Sequence, residues 1–170
     1  MQYIYRCVLD VDDDVVRDIA IDSKMNLQDF HEAIINAFRM NQGEMAAFYK
    51  SNDDWEQGEE IPLFEMNDMG LPNEMKDFEL SEFFLEIDSK ALYVYDFLKM
   101  WTFFVELKQI DEDVEIITPK IVYNKGEVPE KSPEKKFESL KMVDDFEEEF
   151  NDEFGSEFDE DYDENPNDFY

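Results

Sequence analysis

The sequence predicts an α+β fold made of two β-hairpins and one amphipathic helix. Residues 2–9 and 15–21 alternate in polarity with the two-residue period of a strand. Residues 27–38 carry apolar side chains at three- and four-residue intervals, which is the period of a helix that buries one side. Two hairpins with one such helix suit a roll in which the helix covers one face of a mixed sheet.

The first hairpin occupies the N-terminal 21 residues. Its two strands each have one more apolar face, formed by Tyr3, Tyr5, Cys7 and Leu9 in the first and by Val15, Arg17, Ile19 and Ile21 in the second. Residues 10–14 are too polar to be anything but a connection.

The helix that follows has a start signal and a stop signal. Asn26 can cap its first turn, because a short polar side chain accepts a hydrogen bond from the exposed backbone N–H groups there. We expect the helix to end near Gly43.

The middle of the chain is less regular. Met45–Tyr49 reads as a third strand. Residues 51–79 read as a long irregular excursion with a short strand at Ile61–Phe64, and Leu80–Leu85 as one helical turn.

The second hairpin follows from two further strand-like runs. Ala91–Phe97 and Thr102–Ile110 flank the tight connection Leu98–Met100.

Composition excludes several classes of protein. The 170 residues include 46 acidic and 15 basic ones, for a net charge of −31, so binding to duplex DNA is not expected. The lone Cys7 excludes a disulfide scaffold and favours a reducing compartment. No apolar run reaches the roughly 20 residues that cross a bilayer. We therefore expect a soluble cytoplasmic protein without membrane contact.

The chain divides near Gly126 by composition. Residues 1–125 form the predicted domain, 126–143 a linker or the start of a helix, and 144–170 a tail with 14 acidic and no basic residues, expected to be disordered. Aromatic side chains recur every four residues in this tail: Phe146, Phe150, Phe154, Phe158 and Tyr162. The tail keeps the protein soluble, docks on a basic or apolar surface of a partner protein, or mimics nucleic acid.

Two segments carry a family resemblance. LQDFHEAIINAF (27–38) and YVYDFLKMW (93–101) resemble the plasmid pRiA4b ORF-3-like family, and the similarity covers about residues 3–130, including the closing segment Pro119–Pro129. The residues that match the family's motifs are Leu27, His31, Ile34 and Phe38 in the helix and Tyr95, Asp96, Phe97 and Trp101 in the hairpin. The resemblance implies the same order of hairpin, helix and hairpin. Members are often labelled resolvases or passenger proteins of insertion elements.

The chain departs from the family pattern at positions that matter for chemistry. Leu98 and Lys99 replace the Gly and Asp of the family's turn, so this turn cannot use a glycine's positive φ. Phe103 and Glu44 stand where family members often have histidine. A metal site or acid–base pair built from those histidines is therefore not expected, and neither is a cofactor.

The resolvase label fits this chain poorly. Resolvase chemistry needs a nucleophile activated beside arginines and a basic surface that holds DNA. Arg6, Arg17 and Arg39 are the whole set of arginines, and they lie on separate predicted elements.

The sequence predicts a candidate groove formed by four residues: His31, Tyr95, Asp96 and Trp101. In the functional interpretation they line a ligand groove in which His31 acts as a base. In the structural interpretation the rings pack under the helix, His31 makes one hydrogen bond and Asp96 binds backbone donors of its turn. The acidic loop 10–14 lacks the central Gly and the bidentate Glu of a calcium loop, so no metal site is expected.

These observations favour a non-catalytic intracellular protein-interaction module whose acidic tail docks on a basic or apolar partner surface. The alternative is an enzyme or small-ligand binder with a groove around His31, Asp96 and Trp101.

Overall fold

The computed structural model describes residues 1–65 and 73–133. Within them the chain forms one seven-stranded sheet with one full helix, which confirms the α+β class. The strands are β1 (Gln2–Leu9), β2 (Val16–Asp22), β3 (Ala46–Ser51), β4 (Glu60–Pro62), β5 (Lys90–Tyr95), β6 (Trp101–Asp111) and β7 (Lys120–Lys125). The helices are α1 (Leu27–Ala37) and the single turn α2 (Leu80–Phe83), which follows a 3₁₀ turn at Met75–Asp77.

The sheet is antiparallel throughout the described residues, so the prediction of a mixed sheet was wrong. The strand order is β4-β3-β5-β6-β1-β2-β7, and each neighbouring pair is antiparallel. The two strands that α1 connects, β2 and β3, do run in the same direction. Three strands lie between them, however, so they never pair.

Both predicted hairpins are confirmed. In β1 the residues of the predicted apolar face, such as Tyr5 and Cys7, are buried, and β5 pairs with β6 from Lys90 to Tyr95. Strand β4 begins one residue before the predicted short strand. Strand β7 was not predicted, because it lies in the segment assigned only to the family's closing region.

Helix α1 begins as predicted and ends earlier than predicted. The Asn26 side chain accepts from the backbone N–H of Asp29 at 2.9 Å, and the Asp29 carboxylate accepts from the Asn26 N–H at 3.1 Å. The helix ends at Ala37 rather than near Gly43. Arg39 takes the left-handed conformation, with φ +53°, that usually belongs to glycine, and the Met40 N–H then bonds to the Ile35 carbonyl in a Schellman closure.

Aromatic rings fill the space between α1 and the sheet. Phe30 lies with its ring centroid 4.5 Å from that of Tyr5, 5.7 Å from Phe48 and 6.3 Å from Phe84. All four rings are fully buried. The helix is therefore held by its predicted apolar stripe.

The compact unit runs from Met1 to Pro133 and so includes the first part of the segment assigned to a linker. Val128 packs against the core. Gly126 has φ +79°, and a Cβ atom there would lie 2.1 Å from the Asp14 carbonyl oxygen, so this turn requires glycine. The tail predicted for 144–170, with the five aromatic residues spaced four apart, lies outside the described residues.

Candidate functional site

The turn between β5 and β6 is built on Asp96. Its backbone has φ +60°, a conformation that aspartate tolerates better than most residues. Its carboxylate accepts from the backbone N–H groups of Leu98 and Lys99 at 3.2 and 3.4 Å, and its own N–H donates to the Met45 carbonyl at 2.8 Å. Met100 closes the turn at φ +56°. Asp96 and Met100 thus supply the left-handed positions without a glycine.

Two aromatic side chains of the predicted groove lie beside this turn and are mostly buried. The Tyr95 hydroxyl donates to the Asn41 carbonyl and accepts from the Glu44 N–H at 3.3 Å. Trp101 is 8 % exposed at the start of β6. Tyr95 therefore holds the loop after α1 against the hairpin, while its strand partner Trp101 packs into the core.

His31 contacts Tyr95, with the ring centroids 6.0 Å apart, but its side chain does not line the same cavity as Asp96 and Trp101. Its Nδ1 is 2.6 Å from the hydroxyl of the buried Tyr93, and burial lowers the pKa of His31 to about 4. The ring borders a separate cavity of about 340 Å³, which Leu63 and Phe64 also line. The structure therefore brings Tyr95, Asp96 and Trp101 together, and His31 reaches only the Tyr95 ring while it lines a different cavity.

A groove of about 680 Å³ opens between the hairpin turn, the end of α1 and the chain after β7; we call it the hairpin groove. Tyr95, Asp96 and Trp101 line it. Its charged residues are Arg17, Arg39 and Lys99 on the positive side and Glu44, Asp96, Glu127 and Glu130 on the negative side. Because its four carboxylates outnumber its three cations, the groove is not a positively charged cleft.

Arg17 is the residue of this region whose role sequence reasoning missed. It is 7 % exposed, and four of its five N–H groups donate to carbonyl oxygens. Nε binds the Ala37 oxygen at 3.2 Å, Nη1 binds the Val16 and Lys125 oxygens at 2.8 Å each, and Nη2 binds the Gly126 oxygen at 3.0 Å. Arg17 therefore ties together β2, the last turn of α1 and the end of β7. A signal was present, since it is the one charged residue on the apolar face of β2.

Arg17 also carries its charge without an acidic partner. The ion pairs formed within the described parts of the chain do not include it. Burial, and to a smaller extent the nearby charge of Arg39, lowers the pKa of Arg17. Its guanidinium also lies 5.1 Å from the centre of the Phe38 ring. Arg6, by contrast, pairs with Asp18 at 2.9 Å on the other face of the sheet.

A second groove, the α1–β7 trough, adjoins the first and has a volume of about 610 Å³. The two share Asn36, Ala37 and Ile121. Apolar side chains form most of the trough, and its rims carry charged ones. Its lining residues are Ile19, Met25, Asp29, Glu32, Ala33, Asn36, Ala37, Pro119, Lys120 and Ile121.

Strand β7 exposes apolar side chains at the edge of the sheet. All six of its residues are exposed, and Ile121, Val122 and Tyr123 are 48 %, 55 % and 46 % exposed. The opposite edge, β4, is only three residues long and contains Pro62, which blocks further pairing.

The described residues contain no group of three or more His, Cys, Asp or Glu side chains placed to hold a metal ion. Cys7 is fully buried, and burial raises the pKa of its thiol. Among residues 1–65 and 73–133 no helix is long and apolar enough to cross a membrane.

The described residues form an antiparallel sheet covered by one main helix, with a groove beside the second hairpin. This is the α+β architecture that the segments 27–38 and 93–101 predicted. The family model described as plasmid pRiA4b ORF-3-like protein matches residues 7–169. The chain belongs to this family, so the resemblance is confirmed, and the match extends beyond residue 130, where the resemblance was predicted to end.

Among solved structures, the chain is similar to the crystal structure of a protein of unknown function from Methanosarcina mazei Go1. The two are 24 % identical with a TM-score of 0.59, over 76 % of this chain and 72 % of that one. This likeness concerns the fold alone. No curated protein matches the chain.

The bonds of Asp96 give a first test of whether the hairpin residues are structural. Replacing Asp96 with alanine should destabilise the protein by about 1–2 kcal/mol, because two backbone bonds and a residue suited to positive φ are lost. Asn keeps an acceptor and tolerates this conformation, so Asp96→Asn should cost well under half as much. Urea unfolding of both variants measures the difference, and equal losses would show that the carboxylate charge matters rather than the turn.

Proposed function

We propose that this protein is a non-catalytic protein-interaction module. The observation that carries the proposal is the exposed apolar group on β7, formed by Ile121, Val122 and Tyr123. Exposed apolar side chains commonly mark interaction sites, and β7 presents them on both faces of the sheet edge, since Ile121 lies beside Ile19 on the α1 side and the Tyr123 ring lies 5.8 Å from the Arg6 guanidinium on the other. The group lies on a chain of net charge −31, where exposed apolar side chains stand out against a strongly hydrated surface.

Three groups with catalytic potential have structural roles that support this interpretation. His31 is held by Tyr93 and stays neutral near pH 7, because its pKa is about 4. The Asp96 carboxylate binds the backbone of its own turn. Cys7 is buried, and its raised pKa keeps the reactive thiolate scarce.

The charge of the chain suggests what kind of partner it meets. A protein of net charge −31 attracts basic surfaces and repels acidic ones over several ångströms. The sequence of residues 144–170 adds carboxylates and regularly spaced aromatic residues, which suit docking on a basic or apolar surface. We place this interaction in the cytoplasm and expect no direct role for nucleic acid or membrane.

Co-purification from the native cell tests the proposal. We expect Val122→Ser/Tyr123→Ser to lose proteins that the full chain retains. Leu85→Ser is the matched control, because Leu85 is 78 % exposed and belongs to the segment after α2 rather than to β7. If the double variant and the control retain the same proteins as the unmodified chain, β7 has no role in binding.

A chain that ends at Val143 tests the tail in the same way, and an unchanged partner set would remove the tail from the proposal.

The hairpin groove supports a second candidate, the binding of a small ligand. Its volume of about 680 Å³ lies within the range of ligand sites, and Trp101 and Arg39 offer it a ring and a cation. A small molecule that raises the melting temperature of the full chain, and no longer does so with Arg39→Ala, would favour this function. Lys131→Ala, which removes a cation outside the groove, serves as the control.

A further inference from the structure

Among residues 1–65 and 73–133, the helical layer over the sheet is incomplete beside β7. Helix α1 has only 11 residues, and on its flank toward β7 it presents the small side chains of Ala33 and Ala37. Ile19 of β2 and Ile121 of β7 form the neighbouring part of the trough. Because short side chains let helices approach to about 8–10 Å between axes, this flank of α1 leaves room for a second helix.

The edge of β7 carries features that oppose the addition of another strand. Lys120 and Lys125 lie at its two ends, and the pairing with β2 shifts register between Asp18 and Ile19. Edge lysines and bulges of this kind discourage backbone pairing with another chain. A partner at this edge is therefore expected to use the side chains that face the trough rather than the free backbone of β7.

The charges around the trough select the polarity of the partner. Asp29 and Glu32 lie on the α1 side, and Lys120 lies on the β7 side. The local excess of negative charge has the same sign as that of the whole chain, which is −31. A second copy of this chain would be repelled, whereas a basic segment would be attracted.

We propose that the α1–β7 trough binds a cationic amphipathic helix of a partner protein, whose apolar side chains lie between Ala33 and Ile121. Such a helix presents apolar residues at positions i, i+3, i+4 and i+7 and keeps lysine or arginine on the rim near Glu32. This inference rests on the interaction role proposed above and gives that role a partner class and a place.

A defined probe tests the inference on the full chain. The probe is a fluorescein-labelled 14-residue peptide of leucine and lysine, with leucines at the i, i+3, i+4 and i+7 positions, measured by anisotropy in 0.15 M salt. We expect Ile121→Ser to weaken binding at least tenfold. Ile117→Ser should stay within twofold of the unmodified chain, because Ile117 is 88 % exposed and lies outside the trough.

A second pair of variants tests the charge and stays informative if Ile121→Ser loosens β7. Glu32→Gln and Glu86→Gln each remove one exposed carboxylate, but only Glu32 lines the trough. We expect Glu32→Gln to weaken binding about threefold and Glu86→Gln to change it by much less.

Three results would overturn the inference. Equal affinities within both pairs of variants would mean that the peptide binds the acidic surface in general. A dimer in sedimentation equilibrium that Ile121→Ser converts to a monomer would mean that a second copy fills the trough. If co-purifying proteins respond to Val122→Ser/Tyr123→Ser while the peptide ignores Ile121→Ser, the interaction role stands and the trough is not its site.

Discussion

Replacing Arg17 with methionine should lower the free energy of unfolding by about 3 kcal/mol or more. Methionine fills a similar volume but donates no hydrogen bond, so the carbonyl oxygens of Ala37, Lys125 and Gly126 lose a charged donor. The loss falls where three elements meet, and β7 should open first. Urea unfolding measures the total effect, and hydrogen exchange of the β7 amides measures the local one.

Two further variants make this prediction specific. Arg17→Lys keeps the charge but cannot reproduce the planar fork of donors, so it should recover less than half of the lost stability. Arg6→Met removes the exposed partner of an ion pair with Asp18 and should cost about 1 kcal/mol or less. If Arg17→Met were as mild as Arg6→Met, the four carbonyl bonds would contribute little to holding β7.

The stability of the protein should fall by up to about 3 kcal/mol through His31 as the pH drops from 6.5 to 4. Burial lowers the folded-state pKa of His31 to about 4, below its ordinary value near 6.5. As the pH falls, the unfolded chain therefore binds this proton before the folded chain does. The contribution of His31 is complete above pH 6.5 and is lost as the pH falls toward 4.

A comparison with a His31→Gln variant isolates this effect from the many carboxylates. Glutamine is neutral at every pH, so the gap in unfolding free energy between the two proteins should narrow or reverse from pH 7.5 to 4.5. Titration of the carboxylates affects both proteins alike and cancels in the difference. Parallel curves would show that His31 is protonated as easily in the folded protein as in the unfolded one.

Local patterns predicted the elements that bury one face and missed those decided by distant contacts. The alternation around Tyr5 and the stripe around Phe30 specified β1 and α1, because burial follows the period of each element. The end of α1 was placed six residues late, since the sequence gives no sign that Arg39 adopts positive φ. Strand β7 has no buried face, so periodicity carried no signal for it.

The same distinction holds for the candidate site. Asp96 and Trp101 were placed together correctly, because both belong to one hairpin and their proximity is local. His31 comes from α1, and its distance from the hairpin turn depends on how the helix lies on the sheet, which no local pattern fixes. The apolar face of β2 included Arg17, but its bonds to Lys125 and Gly126 join residues more than 100 positions apart.

The position of β1 in the sheet determines when the protein can fold during synthesis. The first strand of the chain lies between β2 and β6, and its register with β6 pairs Gln2 with Asp111. Contacts between residues so distant in sequence slow folding, because a long loop must close before they form. The newly made N-terminal hairpin therefore has both of its strand edges unpaired until first β6 and then β7 have emerged from the ribosome. During that interval chaperones have their best opportunity to act on this chain.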